Sequence, residues 1–295
     1  MTSCIASTFA RLKAENRAAL IPYLTVGYPS LEATRALLRV ISEQGADIME
    51  LGVPFSDPLA DGATIQRASH AALQNGVSLA DCLAVAAEFR EHTQQAVVGA
   101  RHASPLRLPA DQVPLIFMSY YNPIHKYGTR NFALDCAACG VDGLIIPDLP
   151  PEEASGLKTA CQQAGVELIF LLAPSSTDER IERVVDMAGG FIYCVSLTGV
   201  TGARTNVDES AAALVARVRR YTGLPLAVGF GISTPEQVAG VAQFADGVVV
   251  GSALINLIES LPEDWLADGV SEYVRSLSQA TERQPAASAL PLNQS

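Results

Sequence analysis

Residues 19–29 read Ala19-Leu20-Ile21-Pro22-Tyr23-Leu24-Thr25-Val26-Gly27-Tyr28-Pro29. The first seven are almost continuously apolar and show no alternation with polar residues. A strand covered on both faces in a parallel sheet reads this way. The residues that follow separate two architectures. An open doubly wound sheet usually carries a glycine-rich dinucleotide loop after its first strand. Residues 25–29 form no such loop, so the closed (β/α)8 barrel is favoured.

Seven further apolar runs share this character, at 48–51, 114–119, 143–146, 167–172, 191–195, 225–228 and 247–250. Amphipathic segments separate them and predict helices at 31–44, 78–92, 151–164, 178–188, 208–221 and 235–244. Another helix over 4–16 precedes the first strand, and 254–277 carries a break near Pro262. Strands alternating with helices imply right-handed crossovers. The prediction is one TIM-barrel domain over 1–278 with an extra N-terminal helix. Residues 279–295, rich in Ala, Ser and Pro, read as a disordered tail. The stretch 98–113 reads as an irregular connection into the third strand, on the N-terminal face of the barrel.

The 295 residues permit two domains of about 150 residues or one barrel of about 250 plus ends. Hydrophobic residues make up 49%, enough for a large core, and the net charge is −11. That balance disfavours nucleic acid or an anionic membrane, because no basic field attracts phosphate polymers. No apolar run reaches the roughly 18 residues of a membrane span. The N-terminus lacks the pattern of a secretory signal. Six cysteines are too few for a disulfide framework at this length, and Cys136 and Cys139 read as packed thiols on a helix. These features place the chain in a reducing compartment, the cytoplasm.

Three segments carry chemistry. Residues 49–62 read Met-Glu-Leu-Gly-Val-Pro-Phe-Ser-Asp-Pro-Leu-Ala-Asp-Gly, and Glu50 falls near the C-terminal end of a strand, where barrels place their active sites. Partial burial there would raise its pKa and suit it to general acid work. An ion-paired structural Glu50, with Asp57 and Asp61 capping the next helix, is the competing reading. Gly229-Phe230-Gly231-Ile232-Ser233 after the seventh strand and Gly251-Ser252 after the eighth each lead into a helix. Those loops form the frequent phosphate site of this fold, where bare backbone N–H groups and a helix dipole receive the anion. The Gly-rich loop 196–206 after strand six suggests a lid. His70, His92, His102 and His125 are scattered, so no metal site is expected, and no lysine ends a strand, which disfavours a Schiff-base aldolase. Cofactor-free acid–base chemistry on a phosphorylated small molecule remains.

These motifs resemble the tryptophan synthase alpha chain family. The similarity rests on 49–62 and extends through 21–27, Asn122-Pro123, 142–148, Tyr193, 200–203, 229–233 and Gly251-Ser252, up to about residue 260. The resemblance implies a lyase of tryptophan biosynthesis. It would cleave indole-3-glycerol phosphate to indole and glyceraldehyde 3-phosphate by a retro-aldol reaction. It implies Glu50 and Asp61 as the catalytic pair, and Tyr193 beside the substrate with Tyr23, Leu144 and Phe230. Gly202, Gly231, Ile232, Ser233, Gly251 and Ser252 would cradle the phosphate. It further implies an alpha2-beta2 heterotetramer with a beta chain that holds the pyridoxal phosphate and receives indole. Asp57, Pro58 and Asn122 would face that partner. Three departures concern the surface: a longer 98–113, the added tail, and Tyr28 where the family often has Asp. Other phosphate-binding barrels, such as indole-glycerol-phosphate synthase, are rivals that the lysine census disfavours. A silent partner that only activates a beta chain is another alternative.

Overall fold

The computed structural model describes residues 3–99, 113–195, 205–229 and 231–283. Eight strands close into a parallel barrel in the order of the chain. They are β1 (Ala19–Thr25), β2 (Met49–Gly52), β3 (Leu115–Met118), β4 (Gly143–Ile145), β5 (Glu167–Leu172), β6 (Ile192–Val195), β7 (Leu226–Gly229) and β8 (Gly247–Val250). The last strand pairs with the first, Leu20 opposite Val248, which removes any open edge. Each expected strand is present within two residues at either end.

Several helices begin where a short polar side chain holds a first-turn N–H group. In α2 (Leu31–Glu43) the Ser30 hydroxyl accepts the Ala33 N–H, and in α8 (Asp178–Met187) Thr177 accepts from Arg180. In α10 (Pro235–Ala242) Thr234 and Gln237 form a reciprocal capping box, with Pro235 at the first turn. The expected 151–164 helix starts later, at Ser155, as α7 (Ser155–Ala164). The expected break near Pro262 separates α11 (Ser252–Ser260) from a 3-10 turn and α12 (Leu266–Gln279). Helices α3 (Ala63–Gln74), α4 (Leu79–Gly99), α5 (Tyr121–Tyr127), α6 (Thr129–Ala138) and α9 (Thr205–Val218) complete the ring. Cys136 is buried on α6, as a packed thiol. Among the described residues no helix is long and apolar enough to cross a membrane.

The core has two parts. Ile21, Ile48, Ile116, Ile145, Ile169, Ala227 and Val249 fill the bore. Helix α1 (Cys4–Ala14) closes its floor by inserting Ile5, Phe9 and Leu12 into the same cluster, with Phe9 5.7 Å from Phe191. A larger layer, including Leu20, Leu51, Phe117, Leu168 and Val248, lies between the strands and the helices.

Two expectations need correction. The tail does not begin at 279: Thr281 is buried, Glu282 bridges Arg17, and the Arg283 guanidinium donates to the carbonyls of Ala242 and Ala245. Ala242 ends α10 and Ala245 lies just beyond it, and an arginine is well suited to carbonyls at a helix C-terminus. Residues 284–295 lie outside the described residues. In the 98–113 stretch, α4 continues helical to Gly99, and 100–112 lie outside the described residues as well.

Candidate active site

The pleat of β2 sends Met49 and Leu51 outward, so Glu50 between them faces the bore. Glu50 is 2% exposed. Burial pushes its carboxyl up to about 8, and the charge of Asp61 adds to the rise. Its Oε2 is buried with no hydrogen-bond partner among the described residues. A carboxyl so placed prefers to be protonated near neutrality.

Asp61 hangs from the loop between β2 and α3 and is half-buried. Burial raises its carboxyl to about 6, while a hydrogen bond from Tyr120 pulls the other way. Both acids line one cavity of about 300 Å³ at the C-terminal end of the barrel. Tyr23 and Tyr193 line it too, from β1 and β6. Each ring lies where a glycine leaves room. A Cβ on Gly52 would meet the Tyr23 hydroxyl at 1.9 Å, and one on Gly229 would meet that of Tyr193 at 2.2 Å. Met118, Ile145, Leu171 and Val249 supply apolar wall, a surface that a flat aromatic ring can cover.

The cavity is also lined by residues 231–233 and 251–253. Helix α11 begins there at Ser252, and no side chain caps it, so its first N–H groups remain free to meet an anion. Gly231 has φ +74°, a conformation that glycine adopts without strain. Ser233 is differently engaged: its N–H, its hydroxyl and the Thr234 N–H all reach Gln237 Oε1, at 2.8, 3.1 and 3.2 Å. None of the described residues lining the cavity is lysine or arginine.

A model of the tryptophan synthase alpha chain family matches residues 9–284. The tryptophan synthase alpha chain of Roseiflexus castenholzii is 52% identical over 276 residues, covering 93% of this chain and 99% of that relative. The one from Dehalococcoides mccartyi is 48% identical over 268 residues, 91% and 97% of the two chains. The chain belongs to the tryptophan synthase alpha chain family. Solved structures agree with this family assignment. A tryptophan synthase structure from M. tuberculosis superposes with TM-score 0.83 at 38% identity, over 96% of this chain and 100% of that one. The tryptophan synthase subunit alpha of Legionella pneumophila gives 0.82 at 37%, over 95% and 99%.

The structure brings most of the residues expected at the site to one cavity: Glu50, Asp61, Tyr23, Tyr193, Gly231, Ile232, Ser233, Gly251 and Ser252 all line it. Leu144 does not. It points from β4 into the layer beneath the helices, and its neighbour Ile145 faces the cavity instead. Both residues are fully buried, so the apolar sequence holds no clue to which one faces inward. Gly202 and Phe230 lie outside the described residues. Asp57 is exposed and Pro58 half-buried on the loop after β2, and Asn122 is exposed at the start of α5. Between Asp57 and Asp61 stands Leu59, 92% exposed. Asn256 at the cavity rim was not anticipated. It accepts from Thr64 at 3.1 Å and so joins α11 to α3. A polar residue one turn into α11 was the only available signal.

Proposed function

We propose that Glu50 and Asp61 carry the reaction this chain catalyses, the lyase cleavage of indole-3-glycerol phosphate to indole and glyceraldehyde 3-phosphate. Protonated Glu50 delivers its proton to C3 of the indole ring. The ring nitrogen then bears developing positive charge, and the Asp61 carboxylate stabilises it by accepting the N–H. The bond from C3 to the glycerol chain breaks, and its electron pair restores the aromatic ring. The glycerol hydroxyl loses its proton as it becomes the aldehyde. The phosphate binds at Gly231, Gly251 and Ser252, and Ser233 shapes the rim, because its N–H is already given to Gln237. Gly202 and Phe230 complete the phosphate and indole contacts in this reading. The roles of Tyr23 and Tyr193 are to flank the ring.

The observation that carries the reading is the buried carboxyl of Glu50, whose Oε2 has no hydrogen-bond partner among the described residues, sharing with Asp61 a cavity that reaches an uncapped helix N-terminus. Exposed Asp57 and Asn122, with Pro58, support docking of a beta chain on this face. In that alpha2-beta2 assembly indole passes to the beta chain, and the pyridoxal phosphate resides there. This chain's own step needs no cofactor. Buried thiols such as Cys82 and Cys136 suit a cytoplasmic location.

The test is indole release by the pure chain from indole-3-glycerol phosphate, with and without a beta chain. Gly231→Val should raise KM strongly and Ser252→Ala less, since the backbone donor survives. Equal KM for all three proteins would move the phosphate elsewhere. Stimulation of a beta chain without any indole release by the wild type would make this chain a silent partner.

A further inference from the structure

The loop after β7 ends in a cluster of hydrogen bonds, and one of them comes from a helix far along the chain. Tyr273 stands on α12, and its hydroxyl donates to the Ser233 carbonyl at 2.9 Å. Gln237, on α10, holds the same stretch: its Oε1 accepts the N–H groups of Ser233 and Thr234. The peptide joining Ser233 to Thr234 is therefore held at both its carbonyl and its N–H. The Tyr273 ring is half-buried and packs against the layer between strands and helices. Burial pushes its hydroxyl up to about 12, so it keeps its proton and remains a donor.

Two helix N-termini meet this end of the barrel, and they differ. The start of α10 is satisfied by the protein itself, through the capping box of Thr234 and Gln237. The start of α11 has no side-chain cap. Gly231 and Ile232, just before the bonded stretch, line the cavity, and their N–H groups have no hydrogen-bond partner among the described residues. The bonds that hold the loop thus stop at Ser233, and the donors left over belong to residues of the cavity wall. Gly231 turns the chain at φ +74°. Glycine is the freest of residues, so this turn must be held by its neighbours.

We infer that Tyr273 is a positioning residue for the phosphate of the substrate: by holding the Ser233 carbonyl from α12, it fixes the turn at Gly231 and Ile232 whose N–H groups receive the anion. This rests on the phosphate site proposed above. Without the bond the loop gains conformations in which those donors are misplaced, and affinity falls with the fraction of molecules that remain competent. The loss falls on binding rather than on proton transfer, because Tyr273 does not line the cavity that holds Glu50 and Asp61.

The experiment compares wild type, Tyr273→Phe and Gly231→Val. Phenylalanine keeps the packed ring and removes only the hydroxyl, and circular dichroism should show an unchanged fold. In Tyr273→Phe the KM for indole-3-glycerol phosphate should rise about 3- to 10-fold, the size of one neutral hydrogen bond. Its kcat should stay within about 2-fold of wild type. Calorimetry with each product separates positioning from a general loosening. Affinity for glyceraldehyde 3-phosphate should fall as much as KM rises, and affinity for indole should be unchanged. Wild-type affinity of Tyr273→Phe for glyceraldehyde 3-phosphate, or an equal loss for both products, would overturn the inference while Gly231→Val, by weakening glyceraldehyde 3-phosphate, keeps the phosphate site in place. Wild-type affinity of Gly231→Val for glyceraldehyde 3-phosphate would instead remove that site, and this inference with it.

Discussion

Asp47 and Glu50 sit three residues apart and are both buried, at 7% and 2% exposure. Their surroundings are opposite. Asp47 lies at the N-terminal mouth, where it accepts the Leu20 N–H at 3.0 Å and pairs with Arg17 at 3.0 Å and Arg11 at 3.5 Å. Burial still raises its pKa, but both arginines and the backbone donor oppose the rise. Glu50 has no such compensation, and its one charged neighbour is another acid. At the entry to β2 one carboxylate is thus held by arginines, while within β2 another is buried with an acid as its charged neighbour.

The N-terminal arrangement recurs around the floor. Asp142 accepts the Leu115 N–H at 2.8 Å and pairs with Arg90 at 2.5 Å. Asp246 accepts the Leu226 N–H at 2.9 Å and pairs with Arg219 at 2.5 Å. In all three cases the aspartate's own N–H returns to the carbonyl of the same leucine, at 2.8 or 2.9 Å. Each aspartate clips the entry of one strand to its neighbour, so β1 is tied to β2, β3 to β4 and β7 to β8.

The largest effect expected from this contrast is at Glu50. Glu50→Gln keeps the shape but removes the proton, and indole release should fall by about 10²–10⁴-fold. Its melting temperature should hold or rise, since a buried unpaired carboxyl is lost. A rate near that of wild type would falsify the division between the two ends.

Asp47→Ala should do the reverse. Removing one partner of a buried pair strands Arg17, at a cost of about 3 kcal/mol in urea unfolding. The rate per folded molecule should stay close to wild type. A variant as stable as wild type, or one that is stable but inactive, would show that the two ends are not separate.

The pH dependence sharpens the comparison further. Glu50 must be protonated and Asp61 ionised, so activity should fall above about 8 and below about 6. Stability follows a related rule. The folded pKa of Glu50 is raised above its unfolded value, so the folded state binds the extra proton between about 4.5 and about 8. Stability from this group is complete at low pH and is lost as pH rises through about 8. Glu50→Gln should therefore gain on wild type in melting temperature over that range, and parallel curves would count against the buried, uncompensated carboxyl.

The smallest effect is expected at Arg283, which ties the C-terminus to α10 and pairs with Asp246 at 3.5 Å. Arg283→Ala should cost about 1–2 kcal/mol with no change in kcat. Circular dichroism melts and steady-state assays on the same preparation would check both halves.

Much of this was legible in the residues. The eight apolar runs, the helix starts at Ser30, Thr177 and Thr234, and the two glycine loops all carry local signals, because caps and tight turns are made by their own side chains and backbone. Glu50 and Asp61 stood out as acids in an apolar and proline-rich stretch. The three floor clips were not recognised, although a small residue, an apolar residue and Asp recur as Gly45-Ala46-Asp47 and Gly140-Val141-Asp142. Their meaning depends on arginines up to 52 residues away.

What the sequence determined by itself was the succession of strands, most of the helices between them and the kind of chemistry, since periodicity and residue type are local properties; α3, α5 and α6 were not anticipated. Which side of each strand faces the cavity was decided only by the closed barrel. In β4, Leu144 and Ile145 are equally apolar and equally buried, and the pleat, fixed by pairing with β3 and β5, turns one to the helices and the other to the substrate space. The charge states were decided there as well. Asp47 stands just before one apolar run and Glu50 within it, and only the folded chain brings arginines to the first and an acid to the second, because a carboxyl's pKa is set by its neighbours in space.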